Sequence, residues 1–427
     1  MKIAYFSSNP YRELPKDFRQ QYHSIWVDPP NTVLCDSNRV ADFYDWTLDE
    51  YTYAAHLGFD ALLVNEHHQN TFGMFNAPNM WAAMLADRTR ELGTALLVAG
   101  DTLPTYGNHA RVAEELAVLD VISRGRVAAT LPVGSVMDTV FNNGFTPSKV
   151  RQYYEEGRQY VVESWTRPGP FIFNGRFTKR RYVNQWPLPY QKPHPPIWVG
   201  GLRSPETWEM AVREDYTFSC LSVTGKALAG DVFKQYWDLL SRTEGRDDNP
   251  YRAGCFQFIA VADSDAEAER LYGAEALDFF NSFAHIYEAF RDSPGYVTKR
   301  SRIAQIASGA EISKLVARGS SALPGVESER TWGDLLRAGA VIAGSPDSVA
   351  EQLIDLIKEF RFGHLLVGFQ IVPNTELVKH NIKLFAEHVL PRLRPLWDDE
   401  GWDDPWWPSG AKVPPLLTDN LSVNVAQ

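Results

Sequence analysis

Short apolar runs and longer amphipathic stretches take turns along most of this chain. Residues 61–64 are apolar at every position, which is typical of a parallel strand covered on both faces. Residues 108–123 instead carry Val112, Leu116, Leu119 and Val121 at roughly helical spacing, which predicts a helix. The predicted strands are 3–7, 61–65, 94–99, 126–131, 196–201, 217–222, 255–262 and 364–371, and the main predicted helices are 46–57, 78–91, 108–123, 147–165, 205–214, 228–242 and 375–390.

This alternation predicts an α/β fold with a parallel sheet. Because eight units extend over roughly 390 residues, a (β/α)8 TIM barrel is favoured over an open sheet. No GxGxxG follows the first strand, which argues against a Rossmann fold. The helix at 46–57 is expected to begin at Thr47, with Glu50 completing a capping box, and to end at Gly58.

Two insertions, after strands 4 and 7, interrupt the rhythm. Residues 166–195 are rich in proline and contain a predicted hairpin around Asn174-Gly175. Residues 263–343 carry helical signals at 266–280 and 283–290 and a Ser/Gly/Pro-rich stretch at 319–328. Since insertions after a barrel strand lie over the active-site face, this segment is interpreted as a lid, with a peripheral or dimer-forming elaboration as the alternative. The predicted domains are a barrel domain at 1–390, which includes both insertions, and a tryptophan-containing tail at 391–427 that packs on the barrel or on a second subunit.

The candidate chemistry lies where the second predicted strand ends, at Asn65-Glu66-His67-His68. Four polar residues are poor core material, and the carboxyl ends of strands are where parallel α/β folds bind ligands. An imidazole can act as acid or base near neutral pH, so His67 and Glu66 are the candidate catalytic residues. A metal-dependent barrel hydrolase is an alternative, although three adjacent residues cannot easily ligate one ion and no complementary set follows the other strands, so no metal is expected.

Composition narrows the classes of partner. The 427 residues carry a net charge of −11, which argues against nucleic-acid binding. The three cysteines, Cys35, Cys220 and Cys255, form no CxxC pair, so a reducing cytoplasm is expected. The chain starts directly with a predicted strand and contains no apolar run of membrane-spanning length, so neither a signal peptide nor a membrane is expected.

Several motifs, taken in order, resemble the bacterial luciferase-like flavin monooxygenases. The resemblance begins at Glu66-His67-His68 and covers most of residues 1–390. The other matching motifs are Thr71-Phe72-Gly73, Asn76-Ala77-Pro78, Leu92-Gly93-Thr94-Ala95, Leu119-Asp120-Val121-Ile122-Ser123-Arg124-Gly125-Arg126, Pro195-Pro196-Ile197-Trp198-Val199-Gly200-Gly201 and the helix-opening Ala343-Gly344-Ser345-Pro346.

The resemblance implies a barrel that binds reduced FMN at the carboxyl ends of its strands. It implies that O2 adds to flavin C4a and that the resulting peroxyflavin oxygenates a small organic substrate, by hydroxylation or Baeyer–Villiger oxidation. The matching catalytic histidine is His67, which Glu66 would orient unless Glu66 binds substrate. A separate flavin reductase is the expected partner, and a homodimer is common in the family. A deazaflavin (F420)-dependent oxidoreductase and a non-catalytic flavin-binding subunit are the alternatives.

The expected ligand contacts follow from the same comparison. Cofactor contacts are expected at Gly200, Gly201, Arg203 and Ser204, where glycines and a guanidinium precede a helix and Ser204 either donates to the phosphate or caps that helix. They are also expected at Ala95 and Leu96, through a non-proline cis peptide. Substrate contacts are expected at Trp26, Phe72, Met74 and Tyr106, which suit a ketone, aldehyde or aromatic compound. The chain departs from the family at Leu131-Pro132, where an arginine that touches phosphate is absent and no reactive cysteine is matched.

Overall fold

The computed structural model confirms the barrel and describes residues 1–202, 204–221, 225–243, 248–291, 293–307 and 330–415. Eight parallel strands close into a ring, because the last of them pairs with the first. In ring order they are Lys2–Phe6 (β1), Ala61–Asn65 (β2), Ala95–Ala99 (β3), Val127–Thr130 (β4), Ile197–Gly200 (β7), Thr217–Leu221 (β8), Ala253–Val261 (β9) and His364–Gly368 (β11). Almost all of their apolar side chains belong to one continuous buried core, whereas Leu221 at the end of β8 is exposed.

A short strand, Val341–Gly344 (β10), was not predicted. It pairs only with the second half of β9, where Val341 lies opposite Phe258 and Gly344 opposite Val261. Strand β9 is nine residues long. Its first half pairs with β8 and β11, and its second half extends far enough to pair with β10 as well. Four apolar residues before a helix carry too little pattern to be separated from that helix.

The helices cover the outside of the ring and agree with most of the predicted spans. Their bounds are Phe18–Gln21 (α1), Asn31–Leu34 (α2), Ser37–His56 (α3), Pro78–Arg88 (α4), His109–Ser123 (α5), Val150–Thr166 (α6), Pro205–Glu214 (α7), Lys226–Ser241 (α8), Asp265–Ala284 (α9), Glu288–Arg291 (α10), Lys299–Ala307 (α11), Trp332–Ala338 (α12), Pro346–Phe360 (α13), Thr375–Leu384 (α14) and Leu390–Leu393 (α15). Within the described part of the chain, no helix is long and apolar enough to cross a membrane.

The predicted capping box at Thr47 is wrong. Helix α3 begins ten residues earlier, at Ser37, and its N-cap is Asp36, whose side chain accepts from the Asn38 N–H. Thr47 is fully buried inside the helix and donates to Asn9. Glu50 is buried too and pairs with Arg12 over 3.0 Å. Both residues hold the loop after β1 in place. Their spacing matches that of a capping box, but they form no cap.

The two insertions contain the predicted hairpin and part of the predicted helices. Strands Phe171–Asn174 (β5) and Lys179–Val183 (β6) pair antiparallel around the turn at Gly175. Helix α9 is longer than predicted, and the helix predicted at 283–290 is divided between the end of α9 and the four residues of α10. The stretch at 319–328 lies outside the described residues.

The described part of the tail packs across the amino ends of the strands. The side chain of Asn249, just before β9, donates to the Asp403 carbonyl, and the Trp406 indole donates to the backbone carbonyl of Asp215, just before β8. The chain then pairs with the turns before β4 and β3, through Gly410 N–H to Gly125 and Lys412 N–H to Gly93. The tail therefore closes the end of the barrel opposite to Glu66-His67-His68.

Candidate active site

The loop that follows β2 presents both histidines at the carboxyl end of the barrel. It folds back on itself, because the His67 N–H donates to the Phe75 carbonyl over 3.2 Å. Gly73 makes this possible, since a Cβ there would lie only 3.0 Å from Cδ2 of His67. The side chains of His67 and His68 are 32% and 29% exposed, so both rings reach the mouth of the barrel.

His67 is oriented by Asp138 and not by Glu66. Its Nδ1 lies 3.1 Å from Oδ2 of Asp138, which belongs to the helical turn Met137–Asn142 after β4. Asp138 also accepts from the Ser135 hydroxyl over 2.7 Å and from the His68 N–H over 3.0 Å. Burial alone would raise the pKa of Asp138, but these hydrogen bonds, led by the one from His67, hold it below its usual range. The imidazole is therefore fixed through Nδ1 and keeps Nε2 for a ligand.

Glu66 forms a second pair, with His68. Oε1 of Glu66 lies 2.9 Å from Nε2 of His68 and accepts from the Tyr106 hydroxyl over 3.0 Å. Oε2 accepts from the Thr102 N–H over 2.8 Å. The hydrogen bond with Glu66, opposed by burial, raises the pKa of His68 above its usual value. The two adjacent histidines are thus held through different nitrogens by different carboxylates.

Aromatic side chains surround this end of the site. The Trp26 ring stands edge-on to the His67 ring at 5.6 Å, and its indole N–H donates to the His68 carbonyl. Phe72 packs against Phe279 and Phe283, with ring centroids 4.6 and 5.6 Å apart. Both partners belong to the insertion that follows β9, so that segment forms part of the wall.

Met74 and Tyr106 occupy different surroundings from Trp26 and Phe72. The backbone of Met74 is held by the Asn9 carbonyl and the Tyr44 hydroxyl, on the outer part of the same loop. The Tyr106 hydroxyl donates a hydrogen bond to the Glu66 carboxylate, so the first role of Tyr106 is to hold Glu66 in place.

A second polar cluster lies at the N-terminus of α7. The Arg151 guanidinium, on α6, donates to the Ser204 hydroxyl over 3.0 Å and to the Thr207 hydroxyl over 3.4 Å. Gly201 lies beside them, because a Cβ there would approach Thr207 Cγ2 to 3.1 Å, and Gly200, the last residue of β7, precedes it. Ser204 occupies the N-cap position of α7, as one of its two predicted roles requires, but its hydroxyl donates to Glu206 and makes no cap hydrogen bond. Arg203 lies outside the described residues.

Glu206 connects this cluster to the insertion after β9. Its carboxylate accepts from Ser204 and from the Ser301 hydroxyl over 2.7 Å, and it also bonds Thr298. Partial burial opposes ionisation, but these hydrogen bonds lower the pKa of Glu206 to about 2. Tyr296, in the same segment, donates to the Gly134 carbonyl and lies within electrostatic reach of both Arg151 and Asp138. The α7 cluster and the His67 pair therefore lie on the same face of the barrel.

The structure contradicts the expected cofactor contacts at Ala95 and Leu96. Both are buried and lie at the amino-terminal start of β3, where Ala95 pairs with Ala61 at the far end of β2 from Asn65. The expected cis peptide is also absent, because the cis peptides in the described residues all precede proline. The mouth of the barrel is reached instead by Ala99, the last residue of β3, and by the residues that follow it.

Two site residues, Asp138 and Arg151, were missed. Asp138 follows Ser135 by three residues just after a strand, and this Ser-x-x-Asp spacing was a usable signal. Arg151 carries no local signal, because it lies 53 residues before its partner Ser204.

Comparison with known proteins identifies the family. Residues 37–362 match the model of the luciferase-like monooxygenases, so the chain belongs to that family of flavin-dependent enzymes. It is 28% identical over 184 residues to the oxygenase component of the flavin-dependent trigonelline monooxygenase of Acinetobacter baylyi, covering 42% of this chain and 49% of that one. It is 23% identical over 361 residues to the FMNH(2)-dependent dimethylsulfone monooxygenase of Pseudomonas putida, covering 83% and 85%.

Two solved structures support the fold. The oxygenating constituent of 3,6-diketocamphane monooxygenase from Pseudomonas putida, in complex with FMN, superposes with a TM-score of 0.62 at 18% identity, over 82% of this chain and 93% of that one. An F420-dependent secondary alcohol dehydrogenase in complex with an F420–acetone adduct gives a TM-score of 0.61 at 16% identity, over 92% and 99%. The same barrel thus serves both kinds of cofactor.

Proposed function

We propose that the protein is the oxygenase of a two-component monooxygenase, which uses reduced FMN from a separate reductase and O2 to oxygenate a small organic substrate. The observation that carries this proposal is the pairing of His67 with Asp138 on the same barrel face as the Arg151 cluster. The names of the two curated relatives support the flavin and the separate oxygenase component.

The residues at α7 suit the phosphate of FMN. A helix N-terminus offers free N–H groups and a positive dipole end, and α7 is ten residues long. Arg151 adds a charged fork of donors and Thr207 a hydroxyl within its reach, and the Ser204 hydroxyl, which donates to Glu206 here, would turn to the phosphate. Gly201 lets the backbone approach closely. These four residues would hold the phosphate, and Gly200 would lie next to it.

Side chains of this protein would then transfer protons and contact the substrate. Reduced flavin, when bound, supplies the electrons that activate dioxygen. Asp138 fixes His67 through Nδ1, so that Nε2 can give or accept the proton that the reaction requires. Trp26 and Phe72 line the space beside it with apolar surface. That lining favours a ketone, an aldehyde or an aromatic compound.

The first experiment is an anaerobic titration of the chain with reduced FMN, reduced riboflavin and reduced F420 in parallel. We expect reduced FMN to bind much more tightly than riboflavin, because only FMN carries the phosphate. Turnover in isotopically labelled dioxygen, with a flavin reductase and a panel of ketones, aldehydes and aromatic compounds, then tests oxygen transfer. Preferential F420 binding without oxygen uptake would establish the deazaflavin alternative and refute the monooxygenase.

We also propose a homodimer formed through α4 and α5. Met80 and Met84 are exposed one turn apart on α4, and Val118 and Ile122 are exposed one turn apart on α5. Large apolar side chains gathered on two neighbouring helices are typical of an interface. Sedimentation should find a dimer that Met80→Lys with Ile122→Lys converts to monomer, whereas Val33→Lys, at another exposed apolar position, should leave it intact.

A reducing cytoplasm is the compartment we propose for this enzyme. It would keep the exposed thiol of Cys35 in the free state that the structure gives it.

A further inference from the structure

A second acidic residue lies buried behind the Glu66–His68 pair. Asp101 follows β3 and is fully buried, with a left-handed backbone at φ 55°. Its Oδ1 accepts from the Asn79 side chain over 2.9 Å. Its Oδ2 is buried and makes no hydrogen bond within the described part of the chain. A carboxylate can only accept hydrogen bonds, so an ionised Asp101 would be poorly satisfied.

The two carboxylates that face Asp101, Glu66 and Glu115, make its ionisation more costly still, whereas the Asn79 amide and the Tyr106 hydroxyl favour it. The cationic partners nearby are already paired, His68 with Glu66 and Arg111 with Glu115. Burial first, and then the charge of Glu66, raise the pKa of Asp101 well above its usual value. When two buried carboxyl groups are neighbours and only one of them has a cationic partner, as Glu66 has in His68, a proton is held on the other.

The hydrogen bonds show which member ionises. Glu66 receives three donors, from His68, Tyr106 and the Thr102 N–H, whereas Asp101 receives one from Asn79. Donors stabilise the charged form, so the negative charge belongs on Glu66. A proton on Asp101 also turns the buried Oδ2, which makes no hydrogen bond within the described residues, into a donor, and Tyr106, whose own proton goes to Glu66, is within reach to accept from it.

We propose that Asp101 is a neutral carboxylic acid in the enzyme and that, with Tyr106 and Glu66, it holds His68 as an imidazolium at the mouth of the barrel. Asp101 and Tyr106 are positioning residues that act through Glu66. The two adjacent histidines then differ in role, since His68 keeps a fixed positive charge while His67 exchanges its proton. Asp138 faces both histidines and Glu66 faces only His68, so the charge on His68 depends on both carboxylates. A catalytic role for the charge on His68 rests on the proposed function. The protonation states of Asp101 and His68 do not rest on it.

The test follows the protonation of His68 in the whole chain without added flavin. Histidine-labelled protein is titrated by NMR, with the His68 signal assigned through its loss in His68→Gln. In the wild type we expect His68 to titrate above 6.5, its unperturbed value. Glu66→Gln removes a negative charge and should lower that midpoint by about one unit or more. Asp101→Asn replaces a neutral acid with a neutral amide of the same shape and should leave the midpoint nearly unchanged.

An independent measurement covers the case in which a variant does not fold. The infrared carbonyl band of a protonated carboxylic acid, which shifts in deuterated water, should be present in the wild type at neutral pH. It should disappear in Asp101→Asn and persist in Asp138→Asn, the matched control. The proposal is overturned if wild type lacks the band, or if Asp101→Asn lowers the His68 midpoint as much as Glu66→Gln does. Both readouts are independent of flavin, so they stand even if reduced FMN fails to bind.

Discussion

His67 and Asp138 lie 71 residues apart in the chain, yet Nδ1 of one and Oδ2 of the other are 3.1 Å apart. The contact joins the loop after β2 to the loop after β4, across the intervening end of β3. It selects one orientation and one tautomer of the imidazole, as a carboxylate does for histidine in many enzymes. The proposed acid–base chemistry at Nε2 depends on this contact.

Replacing Asp138 with Asn should therefore damage turnover more than binding. The amide keeps the shape but can present its NH2 to Nδ1, which favours the wrong tautomer. We expect kcat to fall roughly 100- to 10,000-fold, the usual contribution of a positioned acid–base group, with little change in reduced-FMN affinity. Ser135→Ala is the control, because it removes one donor to Asp138 and leaves the contact with His67. An Asp138→Asn enzyme with wild-type kcat would show that His67 needs no such partner.

Arg151→Gln should weaken the binding of FMN but not that of riboflavin. A hydrogen bond to a charged group contributes about 1.5–3 kcal/mol, so the dissociation constant for reduced FMN should rise roughly 10- to 100-fold. Arg176→Gln is a matched control, since this exposed arginine bonds Gln152 on the outer side of the same helix. Equal losses for the two flavins in Arg151→Gln would show that Arg151 holds the structure and not the phosphate.

The sequence carries enough information for the barrel and for the centre of the site, but not for the contacts that complete it. Apolar runs and the Glu66-His67-His68 motif are local, so the strands and the catalytic loop could be predicted. Arg151 could not, because its partners become neighbours only when the ring closes. The cofactor contacts expected at Ala95 and Leu96 were wrong because β3 runs from one end of the barrel to the other. A motif match within a strand does not show which end of that strand lies at the active site.

Buried His109 should make the fold less stable in acid. Its ring lies 3.1 Å from the Leu103 carbonyl and 3.3 Å from the Thr178 hydroxyl, and burial lowers its pKa below 6.5. Because the unfolded chain then binds the proton more readily, the stability contributed by neutral His109 is complete above 6.5 and is lost as pH falls through the folded-state value.

Urea unfolding between about pH 8 and pH 5 measures this effect, because histidine changes charge in that range. His109→Gln cannot titrate, so its stability should fall less over the same interval than that of the wild type. Half-buried His194, whose pKa partial burial also lowers, should keep its own share of the decline in this variant. Parallel curves for wild type and His109→Gln would contradict the assignment.

Trp406 should be the tail residue whose loss most weakens the barrel. Its indole donates to the Asp215 carbonyl over 3.0 Å, its own carbonyl accepts from the Trp198 indole, and the Arg252 guanidinium lies 4.5 Å from its ring. The side chain therefore joins the turns before β8 and β9 at the amino ends of these strands, whereas the contact with Trp198 of β7 uses the backbone carbonyl and is kept in Trp406→Ala. Trp406→Ala should lower the free energy of unfolding by about 3–5 kcal/mol, the usual cost of removing a buried Trp.

Trp402, in the same tail, supplies the comparison. Among the described residues its indole bonds only the nearby Glu400 carboxylate, so Trp402→Ala should cost about 1 kcal/mol. At temperatures where both variants are folded, reduced-FMN affinity should match the wild type, because the tail and the candidate site lie at opposite ends of the strands. Equal destabilisation by the two substitutions would mean that the tail packs as a whole and that Trp406 does not anchor it.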